Sequence, residues 1–124
     1  MPPNIAQLIG IEFTGWDDES LTARMPVDAR THQPLGILHG GASVVLAESL
    51  GSIASNMIID SDKLVGVGME VNANHIRPVK SGRVTGTCRA IHIGAKTHVW
   101  EIRIVNEAGK LVCVSRLTVA IVPK

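Results

Sequence analysis

A histidine, two glycines and one glutamate share an apolar stretch from His39 to Ser49, and together these residue types could carry out acyl transfer. Gly40 and Gly41 open a predicted helix, where backbone N–H groups at the positive end of the helix dipole stabilise an oxyanion. Glu48 is the only carboxylate in that helix. Because an ionised carboxylate is costly to bury, an acid on an apolar helix is either paired or functional. An oxyanion donor and an available carboxylate are two parts of an acyl-transfer site.

Ser52 follows Glu48 by four residues, so a helix places both on one face. Its hydroxyl can hydrogen-bond the carboxylate or a water molecule beside it. The alternative is a structural glutamate, satisfied by serine hydroxyls or by a cation from another subunit. No lysine or arginine lies on the helix to pair with Glu48, and this favours a functional glutamate.

Extended segments surround the helix, which we predict from about Gly40 to Asn56. Their β-branched residues and the turns between them predict an antiparallel sheet wrapped around one long helix, an α+β domain covering residues 1–124. The helix is apolar on most sides and one sheet covers only part of it, so we expect a second subunit to cover the rest. The predicted strands are Ile9–Thr14, Leu21–Met25, Leu64–Arg77, Arg83–Ile93, Thr97–Val105 and Lys110–Val122.

Composition argues against several classes of function. The net charge is +1 and aromatic residues make up 2% of the chain, so binding of nucleic acid or of an anionic membrane has no support. No apolar stretch is long enough to span a bilayer, and we expect a cytoplasmic protein. The five histidines have no zinc-ligand spacing, so we expect no metal. Cys88 and Cys113 are predicted to be reduced core residues.

Five segments of the chain resemble the hotdog-fold acyl-CoA thioesterases. The similarity is to the 4-hydroxybenzoyl-CoA type that uses a helix glutamate, a branch that includes 1,4-dihydroxy-2-naphthoyl-CoA and phenylacetyl-CoA thioesterases. It covers the chain from about Gly10 to Val122. It implies a hotdog fold, hydrolysis of an acyl-CoA to the free acid and CoA, and no cofactor, since coenzyme A is part of the substrate. The matching segments are Asp28–Gly36, His39–Ser43, Leu46–Ser49, Asn72–Arg77 and His92–Gly94.

The resemblance also implies roles for individual residues. Glu48 would act as nucleophile or general base, and Ser52 would help to hold the water. Gln33 and His39 would orient the thioester carbonyl, and the Gly40 N–H would polarise it. The residues implied for binding CoA are Gly68, His75, Arg77, His92, Gly94 and Lys96.

Helix geometry predicts that the site is shared between subunits. Gly40 and Glu48 are eight residues apart, which is ~12 Å along a helix. One carbonyl cannot contact both within a single chain. An antiparallel copy of the helix, related by a two-fold axis, would place one subunit's Glu48 near the other's Gly40. We therefore expect a homodimer with two sites, or a homotetramer built as a dimer of dimers.

Other functions remain open at this stage. The acyl group could be aromatic or of medium chain length. The substrate could be carried by a protein, as for proofreading thioesterases of siderophore pathways, and a broad basic rim would favour that. A non-catalytic acyl-CoA-binding protein of the same fold is a further alternative. A hydratase of this fold is disfavoured because no Asp/His pair has the required spacing.

Overall fold

A six-stranded antiparallel sheet packs against one long helix in this computed structural model, which describes residues 2–124. The elements are α1 (Ile5–Leu8), β1 (Glu12–Trp16), β2 (Leu21–Pro26), α2 (Gly40–Ile58), β3 (Leu64–His75), β4 (Arg83–Ile93), β5 (Thr97–Val105) and β6 (Leu111–Pro123). The strand order in the sheet is β1-β2-β4-β5-β6-β3. The strands and helices therefore form the hotdog arrangement that the resemblance implied.

The predicted β4 and β5 are confirmed at both ends, and the largest error lies at the start of the chain. The first strand begins at Glu12, not Ile9, because a short helix precedes it. Asn4 caps that helix by accepting a hydrogen bond from the Gln7 N–H. Gly10 then adopts a φ of 78° and turns the chain into β1.

Smaller differences affect four other elements. The strand β2 ends at Pro26, one residue after the predicted Met25. The helix α2 runs two residues beyond the predicted Asn56, to Ile58. The strand β3 ends at His75 and not at Arg77, because the chain bends towards Pro78 after its last bonds to Val112. The last strand is displaced by one residue at each end.

The core lies between the sheet and one face of α2. Leu46 and Leu50 are fully buried there against Ile102, Ile104 and Leu117 of the sheet. Burial of a side chain of this size stabilises the fold by about 1.5–3 kcal/mol. Cys88 and Cys113 are free, buried thiols in this core, as predicted, and burial raises the pKa of Cys88 to about 12.

Apolar side chains of α2 and of β3 stay uncovered in the single chain. On α2, Ile53 and Met57 are exposed. On β3, the terminal strand of the sheet, Val67 and Met69 are exposed, the latter by 61%. A twelve-residue edge strand with free backbone groups favours pairing with another strand.

Candidate active site

The amino terminus of α2 brings the backbone N–H of Gly40 close to the imidazole rings of His39 and His75. His39 caps the helix, and its Nδ1 accepts a hydrogen bond from the Gly41 N–H at 2.8 Å. The neutral His39 ring must then carry its proton on Nε2, which makes that exposed atom a donor. Gly40 leaves room for a second ring, since a methyl group built there would lie 2.8 Å from Nε2 of His75. The Gly40 N–H has no intrahelical acceptor at this position.

The loop before α2 orients the amide of Gln33. The Gln33 N–H donates to the Ile37 carbonyl at 2.8 Å, and its side-chain Oε1 accepts from the Leu35 N–H. The Nε2 amide group is thereby left as the part of Gln33 that can donate to a ligand. His32 anchors the loop through a 2.9 Å bond between its Nε2 and the Lys80 carbonyl.

A cleft of about 290 Å³ brings four of the predicted site residues together. Gln33 and Gly40 line it from the loop and the helix terminus, and His75 and Arg77 line it from the end of β3 and the following loop. Its remaining walls are mostly apolar. These residues can donate hydrogen bonds to a carbonyl oxygen and offer a cation to a phosphate. The other lining residues are Ile37, Leu38, Ser43, Ile76, Pro78 and Val112.

Glu48 is not part of that cleft. It is half-buried in the middle of α2, and its carboxylate lies against the backbone of Gly68, where a methyl group would collide with it. Among the described residues it has neither an ion pair nor a side-chain hydrogen bond. The predicted hydrogen bond from the Ser52 hydroxyl to the Glu48 carboxylate does not form. The backbone carbonyl of Ser52 accepts a hydrogen bond from the Asn56 side chain.

The six residues implied for CoA binding do not form one surface in the single chain. Gly68 and His75 are seven residues apart on β3, which is roughly 20 Å along a strand. Gly68 pairs with Val119 of β6, which pairs with His98 at the start of β5. Gly68 therefore lies at the end of the sheet where the turn between β4 and β5 is found. The predicted group therefore divides into two: His75 and Arg77 at the cleft, and Gly68, His92, Gly94 and Lys96 at the opposite end. At that far end the His92 ring packs over Gly94, 2.7 Å from a methyl group built there.

Cations that the sequence analysis did not single out extend from the cleft. Lys80 and Arg83 line a neighbouring depression of about 280 Å³, which shares Pro78 with the cleft. Both are exposed. Together with Arg77 they form what we call the basic rim, with Glu107 as the acidic residue beside it. They are separated in sequence by ordinary loop residues, so only the folded loop brings them together.

A cavity of about 350 Å³, larger than the cleft, lies elsewhere, at the turn between β1 and β2. Both tryptophans, Trp16 and Trp100, line it. None of the predicted site residues does, so its size alone does not make it the candidate site.

Within residues 2–124, no three His, Cys, Asp or Glu side chains lie close enough together to hold a metal ion. No helix in that range is both long and apolar enough to cross a membrane.

Comparison with known proteins connects this geometry to a family. The model of the thioesterase superfamily matches residues 35–113. The chain is 51% identical to the 1,4-dihydroxy-2-naphthoyl-CoA hydrolase of Escherichia coli over 95% of its length and 86% of that protein. It is 47% identical to the proofreading thioesterase EntH of Cronobacter turicensis, covering 94% of this chain and 85% of that one. The crystal structure of a mutant of thioesterase PA1618 from Pseudomonas aeruginosa superimposes with a TM-score of 0.96, at 61% identity, covering 97% and 86% of the two chains.

Proposed function

Because this chain belongs to the thioesterase superfamily and is a thioester hydrolase, we propose that it hydrolyses acyl-CoA thioesters at a site built from two copies of the chain. The acyl group in this proposal is aromatic or of medium length. The similarity to a naphthoyl-CoA hydrolase supports the aromatic class.

The observation that carries the proposal is the separation of Glu48 from the cleft. The donors of Gln33 and Gly40 lie at the start of α2, and the carboxylate lies eight residues further on, ~12 Å away along the axis. A thioester carbonyl held at the cleft is out of reach of Glu48 in the same chain. A second copy, paired through the free edge of β3, would bring its own Glu48 to this cleft.

In the proposed reaction the carbonyl oxygen accepts hydrogen bonds from the Gly40 N–H and from Gln33 or His39, which stabilise the charge that develops on it. Two routes are open to Glu48. It removes a proton from water as the water adds to the carbonyl carbon, or it adds directly and water then cleaves the mixed anhydride. In both routes the C–S bond breaks, the sulfur leaves as the CoA thiolate and takes up a proton, and the acid is released. Neither route requires a metal or a cofactor.

CoA binding in this scheme also uses both copies. Arg77 and His75 of the copy that supplies the cleft would contact one part of the CoA moiety. Gly68, His92, Gly94 and Lys96 belong to the copy that supplies Glu48. Lys96 offers a point charge to a phosphate and not the bidentate fork of an arginine.

A second candidate function is hydrolysis of an acyl group attached to a carrier protein. The basic rim favours it, because Lys80 and Arg83 line a depression next to the cleft and add positive charge outside it. The proofreading thioesterase among the relatives is consistent with such a substrate. An acidic carrier surface would be attracted to these cations.

A substrate panel assayed by release of free thiol tests both functions. Benzoyl-, phenylacetyl-, octanoyl- and acetyl-CoA are compared with the same acyl groups on a phosphopantetheinylated carrier domain. We expect kcat/KM for an aromatic or octanoyl thioester to exceed that for acetyl-CoA by at least about tenfold, since each apolar group buried adds binding energy. Absence of thiol release from every substrate would overturn the proposal.

Charge reversal separates the two candidates. Lys80→Glu with Arg83→Glu should lower kcat/KM for the carrier-bound substrate and leave that for the CoA substrate unchanged. Lys124→Glu is the control, because it reverses the charge of an exposed lysine that lines neither the cleft nor the neighbouring depression. If the reversal affects CoA and carrier substrates equally, the basic rim does not select carriers.

A further inference from the structure

The side chain of Asn56 pairs with the backbone of Gly66 as a neighbouring strand would. Its Oδ1 accepts from the Gly66 N–H at 2.9 Å, and its Nδ2 donates to the Gly66 carbonyl at 3.1 Å. Nδ2 also donates to the Ser52 carbonyl at 2.8 Å, which holds the amide against α2. One helix side chain thus occupies both hydrogen-bonding groups of a residue in β3.

These two groups of Gly66 face the free edge of the sheet. In β6 its register partner is Ile121, and the N–H of Ile121 donates to the Lys96 carbonyl on the opposite side. In an antiparallel pair, residues alternate between facing the partner strand and facing away from it. Gly66 faces away from β6, where an added strand would bond, and Asn56 already occupies that position.

We propose that Asn56 is a positioning residue that stops strand addition at Gly66 and so sets the register in which a second copy pairs with β3. The inference rests on the proposed two-copy site and names the residue that aligns it. Without the amide, the free edge would extend over the whole strand. With it, the edge open to a second copy runs from Gly68 to His75.

This shorter edge defines one register. Met69 is the extra residue of a bulge between Gly68 and Glu70, so seven paired positions remain and Asn72 is the central one. Full overlap of two antiparallel copies then places Asn72 opposite Asn72, and Gly68 opposite His75 of the second copy. The hydrogen-bonding pattern agrees, because Gly68 and His75 both turn their backbone groups away from β6.

The register has a direct consequence for the site. Glu48 lies on Gly68, and His75 lies over Gly40. Gly68 opposite the second copy's His75 therefore brings Glu48 of one copy to the Gly40 donor of the other. A slip that preserves the hydrogen-bonding pattern moves the second copy by two residues, about 7 Å, which is too far for the carboxylate to attack.

Disulfide trapping reads this register directly. In an antiparallel pair, residues whose backbone groups face away from each other have Cα atoms about 4.5 Å apart, a separation that a disulfide tolerates. Asn72→Cys should therefore give a covalent dimer on mild oxidation of the full chain. Asn74→Cys is the matched control. In this register the two introduced cysteines would lie four positions apart along the paired strands, a separation of roughly 13 Å. Native Cys88 and Cys113 are buried, so the oxidised wild type should stay monomeric under denaturing, non-reducing conditions.

The role of Asn56 is tested in the Asn72→Cys background. Asn56→Leu keeps the branched shape and the number of heavy atoms, and it removes both bonds to Gly66 together with the bond to the Ser52 carbonyl. We expect the yield of covalent dimer to fall severalfold and kcat to fall at least tenfold. Ile59→Ala is the control, because it removes packing at the same end of α2 and leaves the Gly66 bonds intact. It should lower the melting temperature and leave both the cross-link and kcat close to those of the parent.

The outcomes separate the inference from the function on which it rests. Cross-linking of Asn74→Cys in place of Asn72→Cys, in an active enzyme, would overturn the register and leave the proposed function standing. An unchanged cross-link and kcat in folded Asn56→Leu would overturn the role of Asn56. If Asn56→Leu does not fold, Asn56→Ser supplies the same comparison. If wild type hydrolyses no thioester, the proposed function fails, while the two cysteine variants still report the register.

Discussion

The carboxylate of Glu48 lies directly against the backbone of Gly68, which has no side chain to displace it. A helix residue and a strand residue, twenty positions apart in sequence, thereby define where the proposed reactive group sits. Any side chain at position 68 would push the carboxylate out of this place.

Gly68→Ala should lower kcat by at least about tenfold, because the new methyl group occupies the space of the carboxylate. The fold should survive, since the collision is with the far end of a flexible side chain. Steady-state kinetics and a thermal melt measure the two effects. Gly15→Ala is the control, because its methyl group would meet only the Thr22 hydroxyl at 3.2 Å. Equal losses of kcat in both variants would contradict the assignment.

Glu48→Ala should nearly abolish turnover while the protein stays folded. Loss of a general base alone costs about 10²–10⁴-fold in rate. The side chain is half-buried and makes no ion pair in the described chain, so its removal should cost little stability. The measurement is kcat on the best thioester, with circular dichroism as the control for folding. Wild-type turnover in this variant would remove Glu48 from the mechanism.

Mixed dimers should restore activity between two inactive variants. One parent carries Glu48→Ala, and the other carries Gln33→Ala with His39→Ala. In the heterodimer one site has both defects, and the other combines an intact Glu48 with an intact Gln33 and His39. Co-refolding differently tagged parents and isolating the heterodimer should give about half of the wild-type activity, because one of two sites is complete. Heterodimers no more active than either parent would show that each chain builds its own site.

Acid should destabilise the fold through His98. Nδ1 of this buried ring shares a hydrogen bond with the Ser55 hydroxyl, whose oxygen also accepts one from Trp100 Nε1, both at 2.8 Å. Burial, and secondarily the charge of His92, lower the pKa of His98 in the folded state. Below about pH 6.5, the ordinary histidine pKa, His98 is therefore protonated to a greater extent in the unfolded chain than in the folded chain. Stability is therefore present above that pH and is lost as the pH falls towards the lower folded pKa.

Urea unfolding at pH 7.5, 6.5 and 5.5 measures this loss. A single proton contributes at most about 1.4 kcal/mol per pH unit. His98→Asn should be less stable at neutral pH and have a smaller dependence on pH over this range. An unchanged pH dependence in that variant would place the effect on another group.

The local elements of this protein could be read from its sequence because their signals are local. β-Branched residues bounded by turn residues predict β4 and β5 to the residue, and glycines at the helix start predict where α2 begins. The helix α1 was missed because four residues carry no periodicity, although Asn4 before it is a capping residue and a usable signal. Glu48, His39 and Gly40 are candidates because of residue types within one segment, whereas Gln33 is a candidate only through the resemblance to a family.

By itself, the sequence determined which residue types are candidates for the site and that Gly40 and Glu48 lie ~12 Å apart along one helix, because helix rise depends only on the number of residues between them. Only the tertiary structure decided where the remaining residues lie. His75 joins Gln33 at the cleft while Lys96 lies at the opposite end of the sheet, and Asn56 occupies the edge at Gly66. The strand order and the bulge after Gly68 bring these residues together or keep them apart. Both arise from pairings between distant parts of the chain, and these depend on the packing of the whole core and not on a pattern within one segment.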